Sequence, residues 1–513
     1  MRLVDGEGLL EDVIPAGGVY YVERSWNETA KRVEASYRIR ESQYTTLTGS
    51  SDNTYLDPGW YAVKGSDVVY DNMLYMNGDG EYHLILCDGA SLKAWFFIAN
   101  SPSVLHIHGQ ADDTGKMTNM YSPSFSIHRY YAGLGADADK ANGTIVIHGG
   151  DINVHGGDAS PGIGNNSYTD PGGAITIYGG TVHAEGDSEH GSDGGGGGAG
   201  IGGGWNNDCG IVNIYGGSVY ATGHGNSSGA AGIGSGSYAH NSGTITIYGG
   251  YVEATGSYGA AGIGGGQGTN GADVTIHGGT VKAKCDKHEG PGIGAGKNDD
   301  NRITYTGTLT VTGGKVYAYG DERGAGIGGG WNTNGSNVTI SGGYVYAEGG
   351  KYAAGIGSGC EYITGGERHG GTLTVTGGYV EAHGGEDGAG IGGGEDSDGA
   401  TVNISGGEVR AYGSYGGAGI GGGEDGNGGN VTITGGTVIA QAGKDDTGYR
   451  AIGPGKGCDN YGQLELGDLM MVSSERLAYE VERKNMCWYR TQVRVEPCTH
   501  PGYTAETCPY HKH

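Results

Sequence analysis

Short runs in which apolar and polar residues strictly alternate recur along most of the chain. TIVIHGG (residues 144–150), AITIYGG (174–180), TITIYGG (244–250), TLTVTGG (308–314) and NVTITGG (430–436) each end on a double glycine. A second run of the form x-Val-x-Ala-x follows, as in TVHAE (181–185), YVEAT (251–255), KVYAY (315–319) and EVRAY (408–412). Most copies then carry Ala-Gly-Ile-Gly, as at 261–264 and 418–421. Alternation with a period of two marks a strand with one buried face. The unit returns every 29 to 37 residues or so, a solenoid spacing, and strands this short bury their apolar face only by stacking on the next copy. The pattern therefore predicts an all-β fold: a right-handed, single-stranded parallel β-helix of about eleven three-strand coils. Stacked at one strand spacing per coil, these would make a rod on the order of 50 Å long. A degraded copy, VLHIHGQ (104–110) with AGLG (132–135), precedes the regular ones.

The outward positions test that register. It sets Glu253 beside Lys282, Tyr317 beside Tyr346 and Glu381 beside Arg410, pairings of the kind favoured between neighbouring strands. Bare ends of a solenoid expose unpaired strand edges, so caps are expected. Residues 1–58 read as an N-terminal β cap, with a hairpin from about Gly17 to Arg40. Residues 59–457 read as the β-helix, with GWYAVKG (59–65) and YHLILCDGASL (82–92) as irregular early coils. Residues 458–496 read as a C-terminal β cap, and 497–513 as a Cys/His tail.

Composition refines this picture. With 115 Gly, 11 Pro, 3 Phe and 36 Tyr among 513 residues, the core must be thin and filled by Val, Ile, Leu and Ala, leaving Tyr largely outside. A net charge of −27 argues against nucleic acid, which needs a basic stripe, and leaves room for cations. No stretch of roughly 18 or more apolar residues is present, so no membrane span is expected. No basic segment followed by an apolar run opens the sequence, so secretion would imply a signal already removed. The eight cysteines are scattered and imply no disulfide framework.

Four sets of residues could carry chemistry. The last outward position of the first strand runs His148, Tyr178, Tyr215, Tyr248, His277, and Tyr251, Tyr317, Tyr344, Tyr346 and Tyr379 lie on the second-strand face. Tyrosine offers a flat apolar face with a hydroxyl rim, suited to a sugar ring, although stacked tyrosines also stabilise adjacent strands. Trp205 and Trp331 each follow a GIGGG run and are expected at loop tips gripping an extended glycan. Glu395, Asp396, Glu424 and Asp425 occupy equivalent loops of neighbouring coils, where calcium could bridge like charges; a solvated polar loop is the alternative. Cys498, His500, Cys508 and His511 form C-x-H-x7-C-x2-H, which closes either a zinc site or, through Cys498 and Cys508, a disulfide. No cofactor is required by these readings; calcium and zinc would be structural ions.

GWYAVKG, LILCDGASL, the iterated AGIGGG and ERKNMCWYRTQVRVEPCTH together resemble the glycine-rich repeat proteins on the surface of gut-dwelling Gram-positive anaerobes. Those are often described as carbohydrate-binding-domain-containing proteins. The resemblance covers nearly the whole chain and implies an extracellular or surface-attached bacterial β-helix. The expectation is thus a non-catalytic module that binds host or dietary glycans. The alternatives are a structural stalk or an adhesin for a protein ligand, then a polysaccharide-active enzyme. Catalysis would need two unpaired carboxylates across a groove, and the outward acids Glu253 and Glu381 each sit beside a base.

Overall fold

The computed structural model describes residues 17–497, together with two short strands at Val4–Asp5 and Gly8–Leu9. Residues 77, 121–129, 138–139, 167–171, 189–194, 241, 300–305, 361–368, 444–449, 468–469 and 474–491 lie outside the described set. The chain divides into two compact units, Met1–Ala254 and Thr255–His513. Each is a parallel β-helix. None of the described residues forms a helix long and apolar enough to cross a membrane.

In the first unit, first strands at Gly59–Val63, Glu81–Leu86, Val104–His108, Thr144–Ile147, Ile175–Ile177, Ile211–Ile214 and Thr244–Ile247 pair in parallel. Their register stacks Tyr61, Leu84, Ile107, Ile147, Ile177, Ile214 and Ile247 into one inward column. Third strands stack Leu74, Phe97, Leu134, Ile163, Ile201 and Ile233 against it. These residues are buried, so each coil supplies a few aliphatic side chains that only its neighbours cover. Parallel pairing begins at Thr45–Thr46 and Thr54–Tyr55, ahead of Gly59. The early coils depart from the expected composition: Tyr61, Tyr70, Tyr75 and Tyr82 are buried, with Phe96 and Phe97, rather than outside. The early coils fill their interior with these larger rings, where the later coils use Val, Ile and Ala.

The second unit repeats the scheme. Ile276, Val311, Ile340, Val375, Ile404 and Ile433 form the first inward column. Val281, Val316, Val345, Val380, Val409 and Val438 form the second. Tyr317 lies opposite Tyr346, and Glu381 opposite Arg410, as the alternation predicted. At its far end Gln463–Leu466 adds in parallel to Asn430–Gln441. Gln492–Pro497 then runs antiparallel to both Asn430–Gln441 and Met470–Ser473.

The glycines of the Ala-Gly-Ile-Gly face set the spacing there. Gly357 has φ +149°, and a Cβ on it would sit 1.8 Å from the carbonyl oxygen of Gly392 in the next coil. Only a residue without a side chain lets the two backbones lie this close.

Candidate functional site

The hairpin Val19–Asn27/Arg32–Arg40 forms as expected, but it lies along the side of the first unit, over the tyrosine ladder. Tyr178 and Tyr215 stack at 4.8 Å, and Tyr215 and Tyr248 at 4.3 Å. Trp26 packs 5.3 Å from Tyr215 and 5.0 Å from Tyr248. Arg24 pairs with Asp113 at 2.6 Å and donates to the His148 carbonyl oxygen. Small residues make this docking possible: a Cβ on Gly149 would meet Arg24 Nη1 at 2.3 Å, and one on Gly179 would meet Arg24 Cδ at 2.7 Å. Tyr178, Tyr215 and Tyr248 are therefore half-buried, and burial first, then neighbouring tyrosines, raises the Tyr215 phenol to about 12. The ladder expected as an open glycan surface is instead the seat of the hairpin. Trp26→Ala is expected to cost about 2–3 kcal/mol, below the range for a fully buried Trp, and to release the hairpin. Limited proteolysis checks this: faster cleavage within 17–40 than in wild type is the expected result.

A second aromatic array stands on the second strands of the other unit. Tyr344 and Tyr379 stack at 5.2 Å with their planes 5° apart. Tyr317 lies 5.7 Å from Tyr344, Tyr346 lies 5.8 Å from Tyr319, and His383 stacks on Tyr412 at 4.7 Å. Parallel register produces the array, since it sets Tyr344 against Tyr379 and Tyr346 against Glu381. Carboxylates are interleaved with the rings. Tyr346 donates to Glu348 at 2.8 Å and Tyr379 to Glu381 at 2.8 Å. His383 Nε2 lies 2.9 Å from Glu381 Oε1. Burial alone would raise the Glu381 carboxyl, but the hydrogen bonds from His383 and Tyr379 outweigh it and hold it below its ordinary value. Arg410 pairs with Glu408 at 2.7 Å and lies 5.5 Å from the centre of the Tyr379 ring. Glu381 thus faces Arg410 in register, while each side chain takes a partner on its own strand. The array is open at its edge, where Tyr319 is 37% exposed and Glu348 is exposed. Tyr319, His383 and Tyr412 were missed from sequence, although they occupy the next outward position after the centre of each second strand.

The remaining candidates are more embedded than expected. Tyr251 donates to Glu253 at 2.6 Å and lies 5.7 Å from Tyr220, which stacks on His183. Trp205 and Trp331 do not stand at loop tips; both are half-buried in equivalent turns, ahead of Asn206 and Asn332 with positive φ. Gly196 packs so closely on the Trp205 ring that a Cβ there would lie 2.3 Å from it. Lys297 and Arg323 lie 4.8 Å and 5.5 Å from the Trp331 ring, and both pair with Glu289. These contacts make each tryptophan part of the turn's packing.

The acidic loops are arranged differently from a calcium cradle. Glu395 accepts from the Cys360 thiol at 3.4 Å, and Glu424 pairs with Lys456 at 3.2 Å. Asp396 and Asp425 hold the left-handed turn position, with φ of 59° and 58°. Glu424 also hydrogen-bonds Asp387, a residue not singled out from sequence, whose carboxyl is raised to about 7 by burial first and by Glu424 second. Because that value lies above the ordinary 3.8, the stability this site contributes is full below about pH 4 and is lost as the pH rises through about 7. Asp387→Asn should therefore melt higher than wild type at pH 8, by about 1 kcal/mol, and little differently at pH 4. Parallel melting of the two at both pH values would contradict the shared-proton pair. Among the described residues, one group of three or more His, Cys, Asp or Glu side chains brings its ligand atoms together, and it consists of His83, His106 and His108. Cys498, His500, Cys508 and His511 lie outside the described residues.

Nine stretches of the chain, residues 175–205, 212–237, 245–267, 274–297, 309–331, 338–360, 370–395, 402–424 and 431–455, match the family described as Beta helix repeat. The chain carries Beta helix repeats. The matched stretches start within the first strands, or two residues ahead of one at residue 370, and end just past the Ala-Gly-Ile-Gly face, so repeat and structural coil share one period. Compared with curated proteins and with solved structures, the chain finds no match.

Proposed function

We propose that this β-helix is a non-catalytic, extracellular carbohydrate-binding module of a bacterial surface protein, and that its ligand face is the tyrosine–carboxylate array from Tyr317 to Tyr412. The observation that carries the reading is the parallel-stacked Tyr344–Tyr379 pair, bordered by Glu348, Glu381 and Arg410. Flat phenol faces take up the apolar side of a sugar ring, while the carboxylates and guanidinium at their rim accept and donate to its hydroxyls. Rungs one strand spacing apart, about 4.8 Å, repeat these contacts along the strand-stacking direction, which suits a polysaccharide chain of host or diet rather than a single sugar. Glu381 and Glu408, each held by a cation or hydrogen-bond donor, serve better as hydroxyl acceptors than as a general acid. A glycan-array screen of the purified protein, with and without calcium, tests the reading. Reproducible binding to one polysaccharide class supports it. Absence of binding in both conditions favours a stalk or protein-binding adhesin, in which the aromatic array only stiffens the sheet.

A further inference from the structure

We propose that His83, His106, His108 and His148 form a binding site for a divalent transition-metal ion of the zinc class, lying beneath the N-terminal hairpin. The four imidazoles come from three successive coils. Sheet register puts His83 against His106, and the pairing of Ile107 with Ile147 brings His108 and His148 side by side. The ligand atoms of His83, His106 and His108 all lie within 4.8 Å of one another. His83 Nδ1 is 3.3 Å from His108 Nε2, and His106 Nδ1 is 3.2 Å from His148 Nε2. These two contacts are hydrogen bonds between imidazoles, and nitrogens on a tetrahedral ion with bonds of 2.0–2.1 Å stand roughly 3.3 Å apart, so an ion would replace the bridging protons at the same spacing.

The surroundings are those of a ligand set. Glu81 lies 3.5 Å from His83 Nε2, the carboxylate contact that fixes a tautomer with Nδ1 free to ligate. His148 Nδ1 lies against the Arg24 backbone, 2.8 Å from its carbonyl oxygen and 3.1 Å from its amide nitrogen, which orients the ring with Nε2 facing His106. Trp60 stacks on His83 with ring centres 3.8 Å apart, and the Tyr21 and His108 rings meet edge to face at 4.7 Å, so aromatic rings flank the group on two sides. An all-imidazole set favours zinc, copper or nickel over calcium or magnesium. The ion would tie three coils together and hold the hairpin through Arg24.

The test uses the full chain, stripped with chelator and titrated with cobalt(II). Thiolate ligation in the C-terminal tail would give sulfur-to-cobalt charge transfer, and imidazole ligation would not, so the two sites are separable in one spectrum. Wild type is expected to take up an equivalent with tetrahedral d–d bands and no sulfur charge transfer. His83→Gln combined with His108→Gln should lose that equivalent and keep any tail signal. His106→Gln, at a half-buried position that tolerates substitution better, should weaken it at least about tenfold, with His277→Gln as the unaffected control. Wild type that binds no cobalt outside a thiolate site would overturn the proposal. So would a His106→Gln protein with unchanged stoichiometry and spectrum.

Discussion

Gly357→Ala is expected to leave little folded protein, while the same change at Gly453 is tolerated with a modest loss. Both residues sit at the same point of the Ala-Gly-Ile-Gly face and share a left-handed backbone, φ +149° and +145°. An alanine forced into that region costs about 1–3 kcal/mol at either site. What differs is the neighbour. At Gly357 the new methyl would lie 1.8 Å from the Gly392 carbonyl oxygen and 2.8 Å from its carbon, both backbone atoms fixed by the stack. At Gly453 the closest atom is Tyr461 Cδ1 at 3.4 Å, an ordinary contact. The coils must therefore separate at Gly357, breaking the hydrogen bonds that the Ile356 and Ser358 backbone N–H groups donate to the Gly390 and Gly392 carbonyl oxygens. We expect more than about 4 kcal/mol of destabilisation at Gly357, in the exceptional range for a single substitution. Soluble yield and urea denaturation of the two variants check this. Equal losses would mean that backbone strain, and not coil-to-coil contact, is what the glycine relieves.

The repeat geometry was legible because three signals coincide: alternation, the double glycine and the Val-x-Ala run all return together. Register followed, since a slip of one residue would send Val316 and Val345 outward and Tyr317 and Tyr346 inward. The early coils were harder, because WYAV and YHLIL bury tyrosines that the composition had placed outside. The position of the hairpin was not legible. VYYVERSW alternates like any strand, and nothing local says that Trp26 seeks Tyr215 and Tyr248 rather than an end of the solenoid. A clue existed in the aromatic column directly before the glycines at 149, 179 and 216, where bulk and a cleared surface adjoin. The tryptophans misled because a residue after GIGGG looks like a loop tip. The positive φ of Asn206 and Asn332 instead turns the chain back and folds Trp205 onto Gly196 of its own coil and Trp331 between Arg323 and Lys297 of the preceding coil.

The two tyrosine arrays lead to the second large expected effect. If the open array is the ligand face and the covered ladder is a hairpin seat, the same chemical change has opposite consequences at the two places. Tyr344→Ala with Tyr379→Ala removes the parallel-stacked pair and the donor to Glu381. Aromatic anchors of an interface are worth about 2 kcal/mol or more each, so removing two is expected to lower affinity by roughly 1000-fold. The fold should persist, because both side chains project from the sheet while Val345 and Val380 keep the core. Tyr215→Ala takes away a support of Trp26, so it should loosen the hairpin and lower stability with affinity unchanged within about twofold. The direct measurement is calorimetric titration of these proteins and wild type with the polysaccharide selected on the array. The account predicts that binding is lost in the Tyr344/Tyr379 variant and kept in Tyr215→Ala. Binding kept in the first and lost in the second would contradict it, and would place the ligand on the ladder beneath the hairpin.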